Sequence, residues 1–404
     1  MMAIFRRFMF VVCIAFVSAL LGAVFNHGLN LSISLQNQFY LFSLLLPAVL
    51  YATFWSELKV GQSVSNSHKT INEKKAISSM LNGFLTVPLT WMSHLGGASV
   101  GREGVAILLG RSVSSLVSGL AWFKNDKLTE LFVMRCGAAA GFAAVFGTPF
   151  SAVVFAFEAL SQKSFKDSSC ELTKFKTFGN IFFVAGCSFL AHVFAKNIFG
   201  VSHSTLSAKN PDVSIHLIFF LCMLSVFFII LSKIHKLIIG FMREKMELLM
   251  SKSKFSVFVL SFLFGLVLCV PQLQLYKNLG LNFVDHFFGD GANYLQIGYL
   301  DWLSKWTLTL VSVVFGYKGG EVTPLLAIGS LLSFSLSSAF PWMTQSIAVA
   351  GYSGMFAAVF RVPIVGAVLA IESFGLRGWS GAVVCLFLLI FMRLSNFYLH
   401  REEI

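Results

Sequence analysis

The chain alternates between apolar stretches and short polar breaks. Three stretches, at 8–25, 178–199 and 215–240, are each long enough for a membrane-spanning helix of about 20 residues. Gly and Pro interrupt four others, at 94–122, 131–160, 311–340 and 346–375. The polar breaks lie near 57–75, 161–177, 200–214, 241–254 and 277–301. Because broken helices persist in a bilayer only where protein or a water-filled cavity satisfies the backbone, the interrupted stretches are predicted to carry the functional site.

Composition defines the class of protein. Of 404 residues, 56% are hydrophobic and 12% are charged, whereas soluble domains have about 45–50% and about 25%. The chain contains 45 Phe, and its mean hydropathy is +0.79. These values exclude a disordered chain, a fibrous chain and a soluble enzyme, and they indicate an all-α polytopic protein of the bilayer.

The formal net charge of +12 comes largely from cations in the polar breaks, such as Lys74-Lys75. Cytoplasmic loops are enriched in Lys and Arg, so we expect contact with a bilayer and no nucleic-acid partner. Arg6-Arg7 precedes a first apolar run that is long for a signal peptide and has no clear cleavage site. That run is predicted to be an uncleaved first helix with its N-terminus inside, and the plasma (inner) membrane is the predicted location.

The sequence offers no pattern typical of a metal or disulfide site. The seven Cys show no CxxC spacing, and the nine His show no HExxH. No metal and no cofactor are therefore predicted.

An internal repeat divides the chain. Phe-Ala-Ala-Val-Phe occurs at 142–146 and again at 356–360, and the same offset of 214 relates Pro149 to Pro363 and Glu158 to Glu372. We predict one transmembrane domain, 1–404, made of two repeat halves, 1–200 and 201–404. Paired, interrupted segments in two halves point to a transport site near mid-membrane. For Glu158 and Glu372 themselves we favour a structural role.

A Gly-rich turn containing a Glu precedes each repeated segment, at 96–104 and at 316–324. Each turn is followed by an apolar helical run, and a helix N-terminus presents free N–H groups and about half a positive charge. Two such termini aimed at one point would form an anion site. Beside it, Glu103 could occupy the site when ionised and leave it when protonated. The alternative is that Glu103 caps its own helix.

Gly101-Arg102-Glu103-Gly104 resembles the GREGP signature of the CLC chloride channels and proton-coupled anion exchangers. The turn at 319–324 and the helices that begin at Pro149 and Pro363 follow in the order found in that family. The resemblance implies two inverted-topology halves with broken, tilted helices and a homodimer with one pathway per subunit. It also implies no cytoplasmic CBS domains, because the chain ends at Ile404. The sequence alone does not count the spans in each half.

Departures from the family pattern favour its fluoride-exporting branch. Gly319-Gly320-Glu321-Val322-Thr323-Pro324 stands where chloride-type members have GGIFAP, and Val105 replaces the Pro of GREGP. Ala159 takes the place of the inner proton-transfer Glu of chloride exchangers, which leaves Glu321 as its natural replacement. Arg361, where relatives have a small polar residue, either strengthens the pull on the anion or faces water.

The resemblance assigns gating and proton roles to Glu103 and Glu321. It implies anion contacts from the two Gly turns, from the last-helix tyrosine and from the region that replaces the family's GSGIP turn. The predicted anion-binding residues are Gly101, Arg102, Gly104, Val105, Gly320, Val322, Thr323, Tyr398, Ser63 and Val64.

The predicted function is export of fluoride coupled to proton entry, and the chain is not predicted to be an enzyme. Hydrogen fluoride crosses bilayers neutral and dissociates inside, so the trapped anion must be driven out. The alternative within the family is a chloride channel or chloride/proton exchanger. From other classes, Gly97-Ala98-Ser99-Val100-Gly101 formally matches the nucleophile elbow of hydrolases, although no strand precedes it, and a non-transporting membrane scaffold is a third alternative.

Overall fold

The computed structural model describes residues 2–49, 73–120, 123, 129–161, 173–201, 206–208, 214–288, 297–337 and 344–394. Within these ranges the backbone forms helices and one isolated β-bridge, which confirms the all-α prediction. The helices are α1 Met2–Gln38, α2 Glu73–Leu95, α3 Glu103–Gly119, α4 Glu130–Phe146, α5 Pro149–Ser161, α6 Thr173–Asn197, α7 Ile215–Lys252, α8 Lys254–Leu268, α9 Leu281–Phe288, α10 Asp301–Val314, α11 Val322–Leu336, α12 Thr344–Phe360, α13 Pro363–Phe374 and α14 Trp379–Leu394. Short 3-10 helices cover Tyr40–Leu45, Pro271–Tyr276 and Gly375–Gly378.

Three helical stretches are long and apolar enough to cross a membrane: Ile4–Gln38, Ile215–Lys252 and Pro363–Leu394. The first two contain the predicted runs 8–25 and 215–240. The polar break at 241–254 does not end the helix, since α7 continues through it to Lys252. Hydropathy marks where the apolar surface of a helix ends, whereas charged residues such as Glu and Lys remain good helix formers.

Ser and Thr side chains cap several of these helices. The Thr129 hydroxyl accepts from the N–H of Phe132 at 3.4 Å, and the Ser214 hydroxyl accepts from that of Leu217 at 3.2 Å. Each bond satisfies one of the N–H groups that a helix start leaves without an intrahelical partner.

The described residues fall into two compact units. The first lies within 1–30, 56–88 and 103–203, and its core is built by α1, α3, α4 and α6, with Phe10, Phe132 and Cys187 at its centre. The second lies within 31–55, 89–102 and 204–404. Its largest core joins α7, α10, α11, α12 and α14 around Phe228 and Met355.

The sequence repeat is also a structural repeat. Both bounds of α12 lie 214 residues after those of α4, and Pro149 and Pro363 each begin the next helix. Between the paired helices, Gly147 (φ +82°) and Arg361 (φ +57°) occupy the left-handed region, which only Gly adopts without strain. Arg361 is 8% exposed, so it contributes little to a water-facing surface.

Close helix contacts in each unit use Gly pairs. A Cβ on Gly110 of α3 would overlap the carbonyl oxygen of Gly137 in α4. In the second unit, a Cβ on Gly329 of α11 would overlap the carbonyl oxygen of Gly351 in α12. Small residues allow the two backbones to approach closely, so each pair fixes the position of the helix that follows a Gly-rich turn.

Candidate functional site

The first Gly-rich turn begins where α2 ends. Gly97 has φ +77°, its N–H donates to the carbonyl of His94 at 2.9 Å, and the N–H of Ala98 donates to that of Ser93 at 3.0 Å. A Cβ at Gly97 would also lie 2.9 Å from Cδ of Lys277. Gly97 is therefore required both by the backbone conformation and by the close approach of a neighbouring side chain.

The two Gly-rich turns pair with each other inside the second unit. Gly101 and Gly320 form the isolated antiparallel bridge: the N–H of Gly320 donates to the Gly101 carbonyl at 2.7 Å, and the N–H of Gly101 donates to the Gly320 carbonyl. Gly319 packs against Val100, since a Cβ at Gly319 would lie 2.5 Å from the Val100 Cβ. The residues that lead into α3 and α11 are thus held together by backbone hydrogen bonds.

Ser99 anchors the first turn to α10. Its N–H donates to Oγ of Ser312 at 2.9 Å, and its hydroxyl lies 2.8 Å from Oγ1 of Thr309. The Thr309 hydroxyl donates its one hydrogen to the carbonyl of Lys305 at 2.9 Å. In the contact with Ser99, the Ser99 hydroxyl is therefore the donor and the Thr309 oxygen the acceptor. These bonds fix the segment before the bridge on a rigid helix.

Lys305 joins the turn to the segment after Pro271–Tyr276. Its Nζ donates to Oγ of Ser99 at 2.8 Å and to the carbonyls of Tyr276 and Asn278 at 2.9 and 2.7 Å, and it lies 3.4 Å from the carbonyl of Lys277. The ammonium is fully buried, and these four oxygens all belong to uncharged groups. Such an arrangement satisfies a buried cation by hydrogen bonds. Because Ser99 is also fully buried and Lys305 acts as a donor towards it, the pair does not form a nucleophile and base open to substrate.

Glu321 takes the N-cap position of α11, one residue after the bridged Gly320. Its side chain is 23% exposed, and Oε2 lies 3.2 Å from Nε2 of His235 on α7. On the other side of the ring, Nδ1 of His235 accepts from Nε1 of Trp306 on α10 at 2.8 Å. A carboxyl at a helix start is thus held by a buried imidazole.

Val322 and Thr323 form the first turn of α11, and both are buried. The N–H groups at a helix start lack intrahelical partners, but Pro324 has no N–H and that of Leu325 donates to the Glu321 carbonyl at 3.0 Å, so the donors that the first turn of α11 offers an anion are those of Val322 and Thr323.

Glu103 lies in the first unit, as the first residue of α3, and is fully buried. Gly104 and Val105 follow it in the first turn of the helix, and Arg102, which precedes it, is half-buried. A carboxylate in the first turn interacts favourably with the helix dipole. This placement suits both the gating role and the capping alternative.

The predicted anion-binding residues Ser63, Val64 and Tyr398 lie outside the described residues. Among the residues that are described, no cluster of three or more His, Cys, Asp and Glu side chains could hold a metal ion.

Sequence reasoning missed His235, Lys305 and Trp306. Lys305 is the one basic residue of α10, and that rarity is the signal that could have found it, whereas His235 lies between Lys233 and Lys236 on α7 and has no comparable signal. It also missed a buried amide chain, in which His94 contacts Asn278 at 3.2 Å and Asn278 donates to Gln36 at 3.1 Å.

Known proteins resemble this chain in sequence. The chain is 26% identical over 341 residues to a chloride/fluoride channel protein of Pseudomonas syringae, covering 82% of this chain and 72% of that relative. It is 26% identical over 305 residues to an H(+)/Cl(-) exchange transporter ClcA of Vibrio cholerae, covering 70% of this chain and 60% of the relative. The chain thus spans less than two thirds of that transporter.

Solved structures share the fold. A CLC-type fluoride/proton antiporter superimposes with a TM-score of 0.78 at 22% identity, covering 95% of this chain and 94% of the other. A slow cyanobacterial Cl-/H+ antiporter superimposes with a TM-score of 0.77 at 17% identity, covering 98% and 99%. Residues 42–391 match the family described as voltage gated chloride channel, and the chain is therefore a membrane protein of that family.

Proposed function

We propose that this protein is a fluoride/proton antiporter that exports fluoride from the cytoplasm across the plasma (inner) membrane. The observation that carries the proposal is the position of Glu321: a partly exposed carboxyl at the start of a buried helix, next to the bridge that holds two Gly-rich turns together. Proton-coupled anion transport needs an anion site beside a titratable group, and this arrangement supplies both elements.

The anion site proposed here uses helix N–H groups instead of a basic side chain. Backbone donors at the start of α11, near the buried side chains of Val322 and Thr323, bind an anion without a fixed salt bridge. A transported ion must bind well enough to enter and weakly enough to leave. Gly101, Arg102 and Gly320, which belong to the same unit as α11, are proposed to complete this site.

In the proposed cycle, Glu103 is the gate. Its ionised carboxylate competes with an anion for the N–H donors at the start of α3, whereas the protonated carboxyl leaves those donors to the anion. Glu321 takes up and releases the coupled proton. Hydrogen fluoride leaks inward and dissociates in the cytoplasm, where the fluoride is trapped. Entry of protons from outside supplies the free energy that drives fluoride out against that leak.

The alternative is a chloride channel or chloride/proton exchanger, which the Vibrio relatives favour by their names. The Glu-Val-Thr sequence at 321–323 supports fluoride instead, and the Pseudomonas relative is named for both anions. We further propose a homodimer with one pathway per subunit, to be tested by cross-linking in membranes.

Purified protein in liposomes tests the proposal. Vesicles loaded with fluoride or chloride are diluted into anion-free buffer, with an ion-selective electrode and an external pH electrode recording the same sample. We expect fluoride efflux with proton uptake and much slower chloride efflux. Equal rates for chloride would defeat the fluoride assignment, and fluoride efflux without proton movement would defeat antiport.

A further inference from the structure

The His235 ring lies between two groups with fixed hydrogen-bonding roles. The indole of Trp306 approaches Nδ1 at 2.8 Å, and the carboxyl of Glu321 approaches Nε2 at 3.2 Å. His235 is 1% exposed and Trp306 is 7% exposed, so the bond between them is shielded from water, whereas the Glu321 side chain is 23% exposed. The three residues come from α7, α10 and the start of α11, all within the second unit.

These contacts determine which nitrogen of His235 carries the proton. An indole N–H is a donor only, so Nδ1 must accept from Trp306 and carries no hydrogen. A neutral imidazole with a bare Nδ1 has its proton on Nε2. Nε2 therefore donates to Oε2 of Glu321, and the orientation of the ring is set from the side opposite the carboxyl.

The same contacts prevent His235 from carrying the transported proton. To pass its Nε2 proton to Glu321, the ring would have to receive another proton at Nδ1. Nδ1 is occupied by the Trp306 N–H, which an indole does not release. The proton exchanged by Glu321 must therefore arrive and depart on the exposed side of the carboxyl, while His235 keeps its own Nε2 proton throughout.

We propose that His235 is a positioning residue for Glu321, fixed in one tautomer by Trp306, and that it is not a member of the proton path. This inference rests on the proposed proton coupling through Glu321. The role of the His–Trp pair is to hold the carboxyl in one orientation at the start of α11, where protonation can be linked to the presence of the anion. A group held in one geometry reacts more efficiently than one free to rotate.

The test compares two substitutions of similar size in liposomes. His235→Gln keeps an N–H donor but cannot transfer a proton. His235→Leu has no N–H donor and cannot transfer a proton either. The readout is the ratio of protons taken up to fluoride released, since a purely structural defect lowers both fluxes and leaves their ratio unchanged. His216→Gln, at an exposed position on the same helix, is the matched control.

We expect His235→Gln to retain the wild-type ratio and His235→Leu to lower it by roughly tenfold, as when a charged group loses a hydrogen bond. Trp306→Phe frees Nδ1 and allows the other tautomer, so it should lower the ratio less than His235→Leu does. Trp379→Phe, half-buried in the same core, controls for loss of an indole.

Several outcomes would overturn the inference. Loss of coupling in folded His235→Gln would make His235 a proton carrier. A wild-type ratio in His235→Leu would remove any positioning role, and if that variant does not fold, a wild-type ratio in Trp306→Phe decides against the tautomer lock. These results differ from failure of the proposed function, in which the wild-type protein itself takes up no protons and both proposals fall.

Discussion

The starts of α3 and α11 are built alike but place their acids differently. Both helices follow a Gly-rich turn, and Gly110 and Gly329 make the same close contact at the eighth residue of each. In that register Glu103 corresponds to Val322, and Glu321 corresponds to Arg102. Glu103 is fully buried in the first turn of its helix, whereas Glu321 occupies the N-cap position without a side-chain capping bond, is 23% exposed and contacts His235.

The difference suggests two separate tasks. The two Glu residues are not repeat partners, so the second is an addition that the repeat does not require. A buried acid in the first turn is suited to compete for helix N–H groups, and a partly exposed acid with a fixed donor is suited to exchange protons. The predictions below test this division.

Glu321→Gln should have the largest effect. The amide is nearly the same size but cannot exchange a proton, so proton uptake during fluoride efflux should be abolished. The measurement is simultaneous pH and fluoride recording in liposomes. Glu247→Gln, exposed on α7, is the control. A wild-type proton flux in the Glu321 variant would leave this residue with a structural role only.

Glu103→Gln should separate the two fluxes. Because the amide imitates the protonated gate, fluoride should still move down its gradient, while a proton gradient should no longer drive it uphill. Uphill export into fluoride-loaded buffer is the measurement. Glu130→Gln, an exposed acid in the first turn of α4, serves as control. Retained uphill export would contradict the gating role and favour a simple cap.

Gly319→Ala should break the bridge. The new Cβ would lie 2.5 Å from Cβ of Val100 and 2.9 Å from the backbone carbonyl oxygen of Gly101. We expect the free energy of unfolding to fall by about 3 kcal/mol, typical of overpacking, and most fluoride transport to be lost. Thermal unfolding in detergent measures the change in stability. Gly240→Ala, with open space around it, should leave stability unchanged, and equal behaviour of the two variants would show that the contact is unimportant.

Ser99→Ala should weaken the anchor of the first turn without abolishing transport. Lys305 loses one oxygen partner, which for a buried charged group costs about 2 kcal/mol. The control is Ser251→Ala on α7, where the exposed hydroxyl bonds only its own helix. Retained fluoride efflux in Ser99→Ala would rule out the alternative that the protein is a hydrolase using Ser99. Wild-type stability of this variant would contradict the anchoring role.

Gly147→Ala should have the smallest effect. The left-handed conformation at φ +82° strains any residue with a Cβ, at about 1 kcal/mol. Its repeat partner Arg361 tolerates the same region, so folding should survive with a slightly lower melting temperature. Gly119→Ala, at the open end of α3, should not lower it. A large loss at Gly147 would mean that steric contact, and not backbone strain, decides this position.

Much of the architecture could be predicted from the sequence because the repeat keeps its register. The repeated Phe-Ala-Ala-Val-Phe and the two Pro residues predict that α12 corresponds to α4 and that α13 corresponds to α5. The Gly-rich turns were also identified, since Gly and Pro mark breaks in apolar helices.

The details of the site could not be predicted in the same way. His235 lies 86 residues before Glu321, and Lys305 lies 206 residues after Ser99, so only the tertiary fold brings these pairs together. The pattern of apolar and polar residues along the chain carries no information about such long-range contacts. The one-residue shift between Glu103 and Glu321 was hidden as well, because the starts of α3 and α11 lie 219 residues apart (322 − 103), whereas the sequence repeat has an offset of 214.

The Gly101–Gly320 bridge consists of backbone groups alone. Mutation of a neighbouring side chain therefore leaves both of its hydrogen bonds intact, provided that the glycines remain. Substitutions at positions 102 and 321–323 can therefore change transport without removing the bridge itself. A lineage built on this scaffold could exchange one halide preference for another by a few point substitutions, without first having to invent a new way of holding the membrane helices in place.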